Sequence, residues 1–387
     1  MHSIALSFYI ISGFVIFWAM VGYPIFMKLL RIFYSTRKLN KDYNYQPTVT
    51  VMVVAHNEEK VIEKKLKNLL EINYPNEKLN YIVASDHSTD KTNVIVKNFI
   101  KSHSQTNICL YEVKERKGKT NAQNEAQKIV NSEMLVMTDA NSMLDKNSVM
   151  ELVAAFADEN ISYVSGRLMY HNANVGVSEM ESTYWDADTK LRNIESDIQT
   201  ITAGNGALYA CRNSEYHDFD PIKCHDSQMP RFYALKNKRA LYNPDAIAYE
   251  KAGEILEDEF KRKVRMNRGI LMDIMPDIRI LNVFKYRWYT FFYIGHRTCR
   301  YLLWAAHLTL LISNIPLLQY GYMFLFVILF QITFFLLGGI QFKLQSDNRY
   351  LRLINYYCMT ILAQWVGVYN IITGKTKPYW EKAESTR

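Results

Sequence analysis

The fold turns on the stretch Met134-Leu135-Val136-Met137-Thr138-Asp139-Ala140-Asn141-Ser142. Its apolar run is short, unbroken, and stops abruptly at Asp139. Leu135, Val136 and Met137 need burial, which suits a central strand of an α/β sheet. A carboxylate at the end of such a strand stands at the carboxyl edge, where these sheets bind ligands. Asn141 adds a second side-chain oxygen two residues on. Two oxygens at that spacing can reach one hard cation, Mg2+ or Mn2+. A strand closed by a plain Asx-turn is the alternative, and this stretch alone does not separate the two.

Upstream, three more apolar runs alternate with helical patterns. Residues 48–55 form a buried strand in composition and end in His56-Asn57-Glu58-Glu59. The helix that follows places Val61, Ile62, Leu66, Leu69 and Leu70 on one face, with Lys60, Lys64, Lys65 and Lys67 mostly off it. Tyr74-Pro75-Asn76 ends it. A second strand, 80–85, runs into Asp86-His87-Ser88-Thr89-Asp90, where Asp90 is placed to cap a helix through Val94, Ile95, Phe99 and Ile100. A third, 108–113, leads through Arg116, Lys117, Gly118 and Lys119 to a helix containing Ala122, Ala126 and Ile129. This βαβαβαβ order predicts an α/β fold with a mostly parallel sheet. Asp86 and Asp139 then meet at one edge, with Lys119 nearby for phosphates. There is neither a G-x-G-x-x-G nor a G-x-x-x-x-G-K-[ST] motif, which disfavours a Rossmann dinucleotide site and a P-loop. Arg116, Lys117 and Lys119 read as a solvated loop by themselves, and as a sugar-nucleotide site beside the carboxylates.

The ends of the chain differ from its middle. Residues 4–29 are apolar and long enough to cross about 30 Å of hydrocarbon. They lack the features of a cleaved signal peptide and read as an anchor. Lys28, Arg31, Arg37 and Lys38 at its end place the next domain in the cytoplasm by the positive-inside rule. About three further spans are expected, near 301–318, 322–340 and 354–372. That count leaves the C-terminus outside, against the basic residues Lys375, Lys377, Lys382 and Arg387. Either one segment is interfacial or the first helix is not a full span. Between domain and spans, 284–302 mixes aromatic and basic residues and reads as an amphipathic surface helix, with a connecting core helix as the alternative. The net charge of +8 fits basic cytoplasmic flanks as well as it fits nucleic acid. The five cysteines are scattered without a C-x-x-C pair, which argues against zinc or a disulfide framework. The organisation expected is an anchor at 1–30, a catalytic domain at 45–280, an interfacial helix at 281–300, spans over 301–373 and a basic tail at 374–387.

With these residues in place, the chain resembles a family 2, GT-A-fold, inverting membrane glycosyltransferase. Val54-Ala55-His56-Asn57-Glu58-Glu59 is similar to the family's P-A-x-N-E-E opening, and Ser85-Asp86-His87-Ser88-Thr89-Asp90 to its D-D-G-S-T-D turn. Lys117-Gly118-Lys119-Thr120-Asn121-Ala122 resembles its K-x-G-K-x-x-A element. Thr138-Asp139-Ala140-Asn141 stands at the D-x-D position, and Gly204-Asn205-Gly206-Ala207-Leu208-Tyr209 at the glycine turn behind the acceptor site. Each motif is weak alone; five in order at family spacing are not.

The resemblance implies roles. Asp86 holds the nucleotide base or ribose, with Ala55 and Glu58 lining the same pocket. Lys119 lies near base or phosphates, and Asp139 binds the Mg2+ or Mn2+ that bridges the diphosphate, with Asn141 as a second, neutral ligand. Gly204, Asn205 and Gly206 face the acceptor. The base that takes the acceptor's proton is Asp226, in Lys223-Cys224-His225-Asp226-Ser227, where His225 replaces the family's Glu. Asp218 and Asp220 compete for that role, and a helix N-cap is the plain reading of Asp226. Glu259-Phe260-Lys261-Arg262-Lys263-Val264-Arg265 resembles the E-F-x-R-K-V-R element, which puts Arg262 and Arg265 at the donor. A guanidinium at Arg265 can clamp a diphosphate, with Arg268 in reserve; a basic helix face at the bilayer is the alternative. Met266 stands where processive synthases carry a stacking Trp. The expected activity is metal-dependent transfer from a nucleotide-diphospho-sugar, a UDP-sugar by resemblance, to a lipid-linked or growing glycan. The expected setting is surface polysaccharide synthesis at the plasma membrane, with membrane lipid but no nucleic acid as partner. A polymer-extruding synthase and a non-catalytic nucleotide-binding module are the alternatives.

Overall fold

The computed structural model describes residues 2–34, 39–171, 177–253 and 255–379, with the side chains of 177–185 also left out. Eight strands form one sheet in the order β3-β2-β1-β4-β7-β6-β8-β5. They are β1 (Val49–Ala55), β2 (Leu79–Ser85), β3 (Ile108–Glu112), β4 (Met134–Asp139), β5 (Met143–Leu144), β6 (Ile161–Tyr170), β7 (Leu208–Arg212) and β8 (Arg239–Glu250). β1 pairs parallel with β2 and β4, and β2 with β3. The far half is mixed: β7 runs antiparallel between β4 and β6, while β6 and β8 are parallel.

Burial follows the sequence pattern. Every residue of β1 is buried, and β4 is buried until its last residue. Alternate side chains serve two cores. Val49, Val51 and Val53 pack with Ile62, Leu66 and Leu69 on one face. Met52 and Val54 pack with Leu135, Met137, Tyr163 and Tyr209 on the other. A sheet covered on both faces is why these strands read as continuous apolar runs.

The helix Ile62–Leu69 departs from expectation at one position. Residues 62, 65, 66 and 69 make its buried stripe, so Lys65 lies on the apolar face and is fully buried, while Leu70 is exposed. Asp90 accepts from the Thr92 amide (2.9 Å), but the helix begins at Thr92 with Lys91 at the N-cap position, so Asp90 caps from one residue further out.

Two helices, His2–Phe33 and Tyr322–Leu344, are long and apolar enough to cross a membrane. A third span exists if Trp288–Tyr301 and Leu303–Tyr320, bent by 62° at their junction, count as one. Helix Arg349–Ile372 lies where another span is expected, yet it is not among these helices. It packs on the helix Leu256–Met266: the Lys263 ammonium sits 3.7 Å from the centroid of the Tyr356 ring. A Cβ at Gly367 would lie 2.7 Å from the Asn267 carbonyl oxygen. The interfacial segment is also not one helix. It breaks into Val283–Tyr286 and Trp288–Phe292 at Arg287, whose φ is +52°. A buried ionic cluster joins the domain to these helices. Tyr23 donates to Glu195 (2.7 Å), and His296 stands between Glu195 (2.6 Å) and Asp188 (3.2 Å). Arg192 and Arg300 also reach Asp188, at 2.6 and 2.7 Å.

Candidate active site

Strand order creates the site. β1 is flanked by β2 on one side and β4 on the other, so chain direction diverges there and leaves a crevice at the carboxyl ends. Register brings the ends level: Ala55 pairs with Ser85, and Val54 with Asp139. β7 enters antiparallel, with Leu208 opposite Thr138. The turn before β7, which holds Gly204, Asn205 and Gly206, therefore arrives at the same edge.

Two turns form the base-side wall. His56 Nδ1 lies 2.6 Å from the Asp86 carbonyl oxygen, and Asn57 Oδ1 accepts from the Thr89 amide (2.7 Å). Asn57 and His87 both have positive φ, +55° and +54°. His87 thus adopts the conformation that a glycine takes more easily. The Ala55 carbonyl accepts from the Asp86 amide (2.8 Å), and Glu58 is buried beside them with its amide donating to Thr92 Oγ1 (2.7 Å). The Asp86 carboxylate is 3.1 Å from the Lys117 amide and 3.0 Å from the Gly118 amide. Asp86 therefore fixes the basic loop.

At the centre, Lys119 forms an ion pair with Asp139 and donates to the Gly206 carbonyl (3.0 Å). Burial pulls its ammonium down, and Asp139 more than reverses this, leaving it above the ordinary lysine value. A Cβ at Gly206 would lie 3.4 Å from Lys119 Nζ and 3.8 Å from Asp226 Oδ2, so all three share one space. Asp226 lies inside the first turn of helix His225–Leu235 and is not its N-cap, which is Cys224. Burial raises the Asp226 carboxyl, opposed by Lys119, Arg192 and Arg297. Its carbonyl accepts from the Gly204 amide (2.8 Å). Gly204 has no room for a side chain, because a Cβ would overlap the Tyr163 hydroxyl.

His225, the replacement for the expected Glu, faces away into a polar network. Its ring bonds the hydroxyls of Tyr209 (2.9 Å) and Tyr216 (3.3 Å), which reach Gln123 and Asn124 in turn. Burial, with Lys119 and His217 adding to it, lowers the imidazole to about 3. The network couples helix His225–Leu235 to the helix that starts at Lys119.

Other residues divide. Arg265 faces the site; burial, with Arg262 next, lowers its guanidinium to about 10, while Cys224 and Asp139 oppose this. Arg262 turns back to Glu259 on its own helix, at 2.7 and 2.9 Å. The side chain of Asn205 points inward, its Oδ1 accepting from the amides of Ala207 (3.0 Å) and Leu208 (3.1 Å), so it shapes the turn. Asp139 and Asp226 both act on the Lys119 ammonium, whereas Asp220 accepts from the Ile222 amide (3.0 Å) within its own turn.

Two features escape the motifs. The first is the buried Lys65, whose signal is a lysine on the 62/65/66/69 stripe. Burial lowers it to about 7, and Asp139 and Glu250 hold it up. The second is the tail. Arg268 donates to the Pro378 carbonyl (2.9 Å) and Arg116 sits 4.7 Å from the centroid of the Tyr379 ring. At Gly118, with φ of +93°, a Cβ would overlap that same carbonyl oxygen. Pro378 and Tyr379 of the expected basic tail thus lie on the 116–118 loop, and 380–387 fall outside the described residues.

The oxygen set suits Mg2+ or Mn2+. Asp139 and Asn141 offer a carboxylate and an amide at the open end of β4, and the Lys119 ammonium already stands as a cation on that carboxylate. Among the described residues no group of three acidic, histidine or cysteine side chains could hold a metal. Water and diphosphate oxygens would complete the shell, as Mg2+ prefers.

Residues 50–215 match the family model "Glycosyl transferase family 2". A beta-monoglucosyldiacylglycerol synthase of Nostoc sp. is 30% identical over 127 residues, 33% of this chain and 27% of that protein. A poly-beta-1,6-N-acetyl-D-glucosamine synthase of Staphylococcus aureus is 23% identical over 267 residues, 64% of this chain and 63% of that protein. The chain thus spans less than two thirds of either curated relative. Among solved structures, the mannosyltransferase PcManGT from Pyrobaculum calidifontis, in complex with GDP-Man and Mn2+, has a TM-score of 0.72 at 21% identity, covering 96% of this chain and 99% of that one. That likeness is one of fold. The family match runs from β1 through β7, across the edge that carries Asp86, Lys119, Asp139 and Gly204 to Gly206, and over these residues the chain is similar to glycosyltransferase family 2.

Proposed function

We propose that the protein is a membrane-bound inverting transferase that moves a sugar from a nucleotide-diphospho-sugar to a hydroxyl of a glycan or lipid-linked acceptor. One observation carries this reading: Asp139, Lys119, Gly206 and Asp226 share a single half-buried space at the carboxyl edge. Asp86 and the 116–118 loop hold the nucleoside end. Lys119, Arg265 and Arg268 face the diphosphate with fixed positive charge. Asp139 and Asn141 hold the divalent cation, which when bound stabilises negative charge on the leaving diphosphate. Asp226 takes the proton of the acceptor hydroxyl. That oxygen bonds to the anomeric carbon from the face opposite the leaving group, and the carbon–oxygen bond to the diphosphate breaks with its electron pair on the phosphate. The raised carboxyl of Asp226 suits it to accept a proton. The donor is UDP- or GDP-linked, and the apolar helices support a reaction at a membrane, in the making of surface polysaccharide.

The test is a screen of UDP- and GDP-sugars for Mg2+- or Mn2+-dependent release of the nucleoside diphosphate by the full-length protein. Release from one donor, lost in Asp226→Asn with donor binding kept, is expected. Asp226→Asn at wild-type turnover removes the base assignment, and Asp139→Ala with unchanged metal-dependent binding removes the metal assignment. A processive synthase is the second reading, favoured by the name of the Staphylococcus relative and opposed by exposed Met266 at the stacking position. Long polymer made from labelled donor without added acceptor would reverse the order.

A further inference from the structure

Neither the motifs nor the proposed chemistry uses Lys65. It is fully buried, on the helix Ile62–Leu69 packed against β4. A buried ammonium is costly unless it is hydrogen-bonded and its charge is compensated. Both conditions are met, and by telling partners. Lys65 Nζ donates to Thr138 Oγ1 (3.1 Å) and to the Ser142 carbonyl oxygen. Thr138 immediately precedes Asp139, and Ser142 immediately follows Asn141. Between them the Ser142 amide donates to the Asp139 carbonyl (3.2 Å), which closes a four-residue turn. The Ser142 hydroxyl is bonded to Glu250 at the end of β8. The carboxylates of Asp139 and Glu250 are the charges that compensate Lys65.

We propose that Lys65 is a positioning residue for the donor site: one buried cation grips both flanks of the turn 139–141 from behind and so aims its two oxygen ligands at the cleft. The proposal rests on the metal role given above to Asp139 and Asn141. It has a sign that simple charge does not share. Removing a nearby positive charge should tighten the binding of a divalent cation, whereas removing a clamp should weaken it. A loosened turn must be ordered again when the cation binds, and each lost hydrogen bond is worth a several-fold change.

The experiment titrates Mn2+ onto the full-length protein in detergent with UDP, and separately with GDP, reading free Mn2+ by electron paramagnetic resonance. In Lys65→Met the half-saturating Mn2+ is expected to rise about fivefold or more. Thr138→Val, which removes one of the two acceptors, should give a smaller rise, and Thr138→Ser, which keeps the hydroxyl, should match wild type. An unchanged or lower half-saturation in Lys65→Met overturns the proposal, and a lower melting temperature with unchanged half-saturation does the same by showing a merely structural role. If Lys65→Met does not fold, Thr138→Val decides, and wild-type behaviour there overturns it. Wild-type protein that binds no Mn2+ with either nucleotide removes the metal reading and this proposal together; wild-type binding with unaffected variants removes this proposal alone.

Discussion

At the scale of single residues, the site is short of negative charge. Asp139 stands alone at its position because Asn141 is neutral, and Lys119 competes for its carboxylate. Asn141→Asp should therefore lower the half-saturating Mn2+ about tenfold, and Asn141→Ala should raise it several-fold, since a carboxylate is a stronger ligand than an amide for a hard cation. Equal affinity in all three proteins would mean that residue 141 is not a ligand. Asp226 makes a second prediction. It acts only when ionised, and burial raises its carboxyl above the ordinary value of 3.8 against the pull of Lys119, Arg192 and Arg297. As pH falls, the base form is lost earlier than from an exposed aspartate. The acid limb of kcat/KM should have unit slope and a midpoint above 3.8, and should be absent from the residual activity of Asp226→Asn. A midpoint at or below the ordinary value would count against Asp226 as the base. These acidic and glycine positions were legible in the sequence because their chemistry is local: a carboxylate at a strand end or a glycine before a strand shows itself. Lys65 and the inward turn of Asn205 were not, since each depends on what lies across the fold.

At the scale of elements, the first four strands were readable because both faces of each are covered, which leaves an uninterrupted apolar signature. The antiparallel entry of β7 was not, because pairing direction is set by the path of the chain. That entry is what delivers Gly206 beside Lys119. The helix His225–Leu235 illustrates both sides. Its aspartate was visible, but its anchoring histidine was not, because the tyrosines that hold it come from 209 and 216. This anchoring has a consequence for stability. The folded state holds His225 at about 3, below the ordinary value of 6.5. A depressed histidine favours folding fully above 6.5, and that advantage is lost as pH falls because the unfolded chain takes the proton first. Between pH 7.5 and 5.5 the loss is about 1 kcal/mol from this group. Melting in detergent should show wild type losing more stability over that interval than His225→Gln, whose starting stability is lower. Parallel pH dependence in the two proteins would show that the histidine is not held neutral by the fold.

At the scale of the whole molecule, the open matter is the path of the chain through the bilayer. Counting apolar stretches suggests four crossings and leaves a basic tail on the wrong side. The folded tail argues for three. Pro378 and Tyr379 touch Arg268 and Arg116 of the domain, so the chain that leaves helix Arg349–Ile372 lies against the domain. Leu303–Tyr320 runs along the first helix: His2 packs on Tyr320 with ring centroids 3.9 Å apart, at the opposite end of that helix from Tyr23 and its domain partner Glu195. Tyr322–Leu344 then returns. In this arrangement Lys343, Arg349, Arg352, Lys375 and Lys377 share the domain's side, and the turn around Gly321 carries no basic residue. The positive-inside rule predicts a cytoplasmic location for that shared side. Arg349–Ile372 is apolar enough to be counted as a span by eye, while its buried polar residues Asn355 and Gln364 serve contacts inside the protein: Asn355 donates to the Gly338 carbonyl (2.8 Å) and Gln364 to the Arg300 carbonyl (2.9 Å). Single cysteines introduced at Gly321 and after Arg387, on a background with the native cysteines replaced, separate the two paths. In intact cells a membrane-impermeant maleimide should label the first and leave the second unlabelled until the membrane is opened. Labelling of both in intact cells would restore four crossings and would require the tail to leave the donor-side loop.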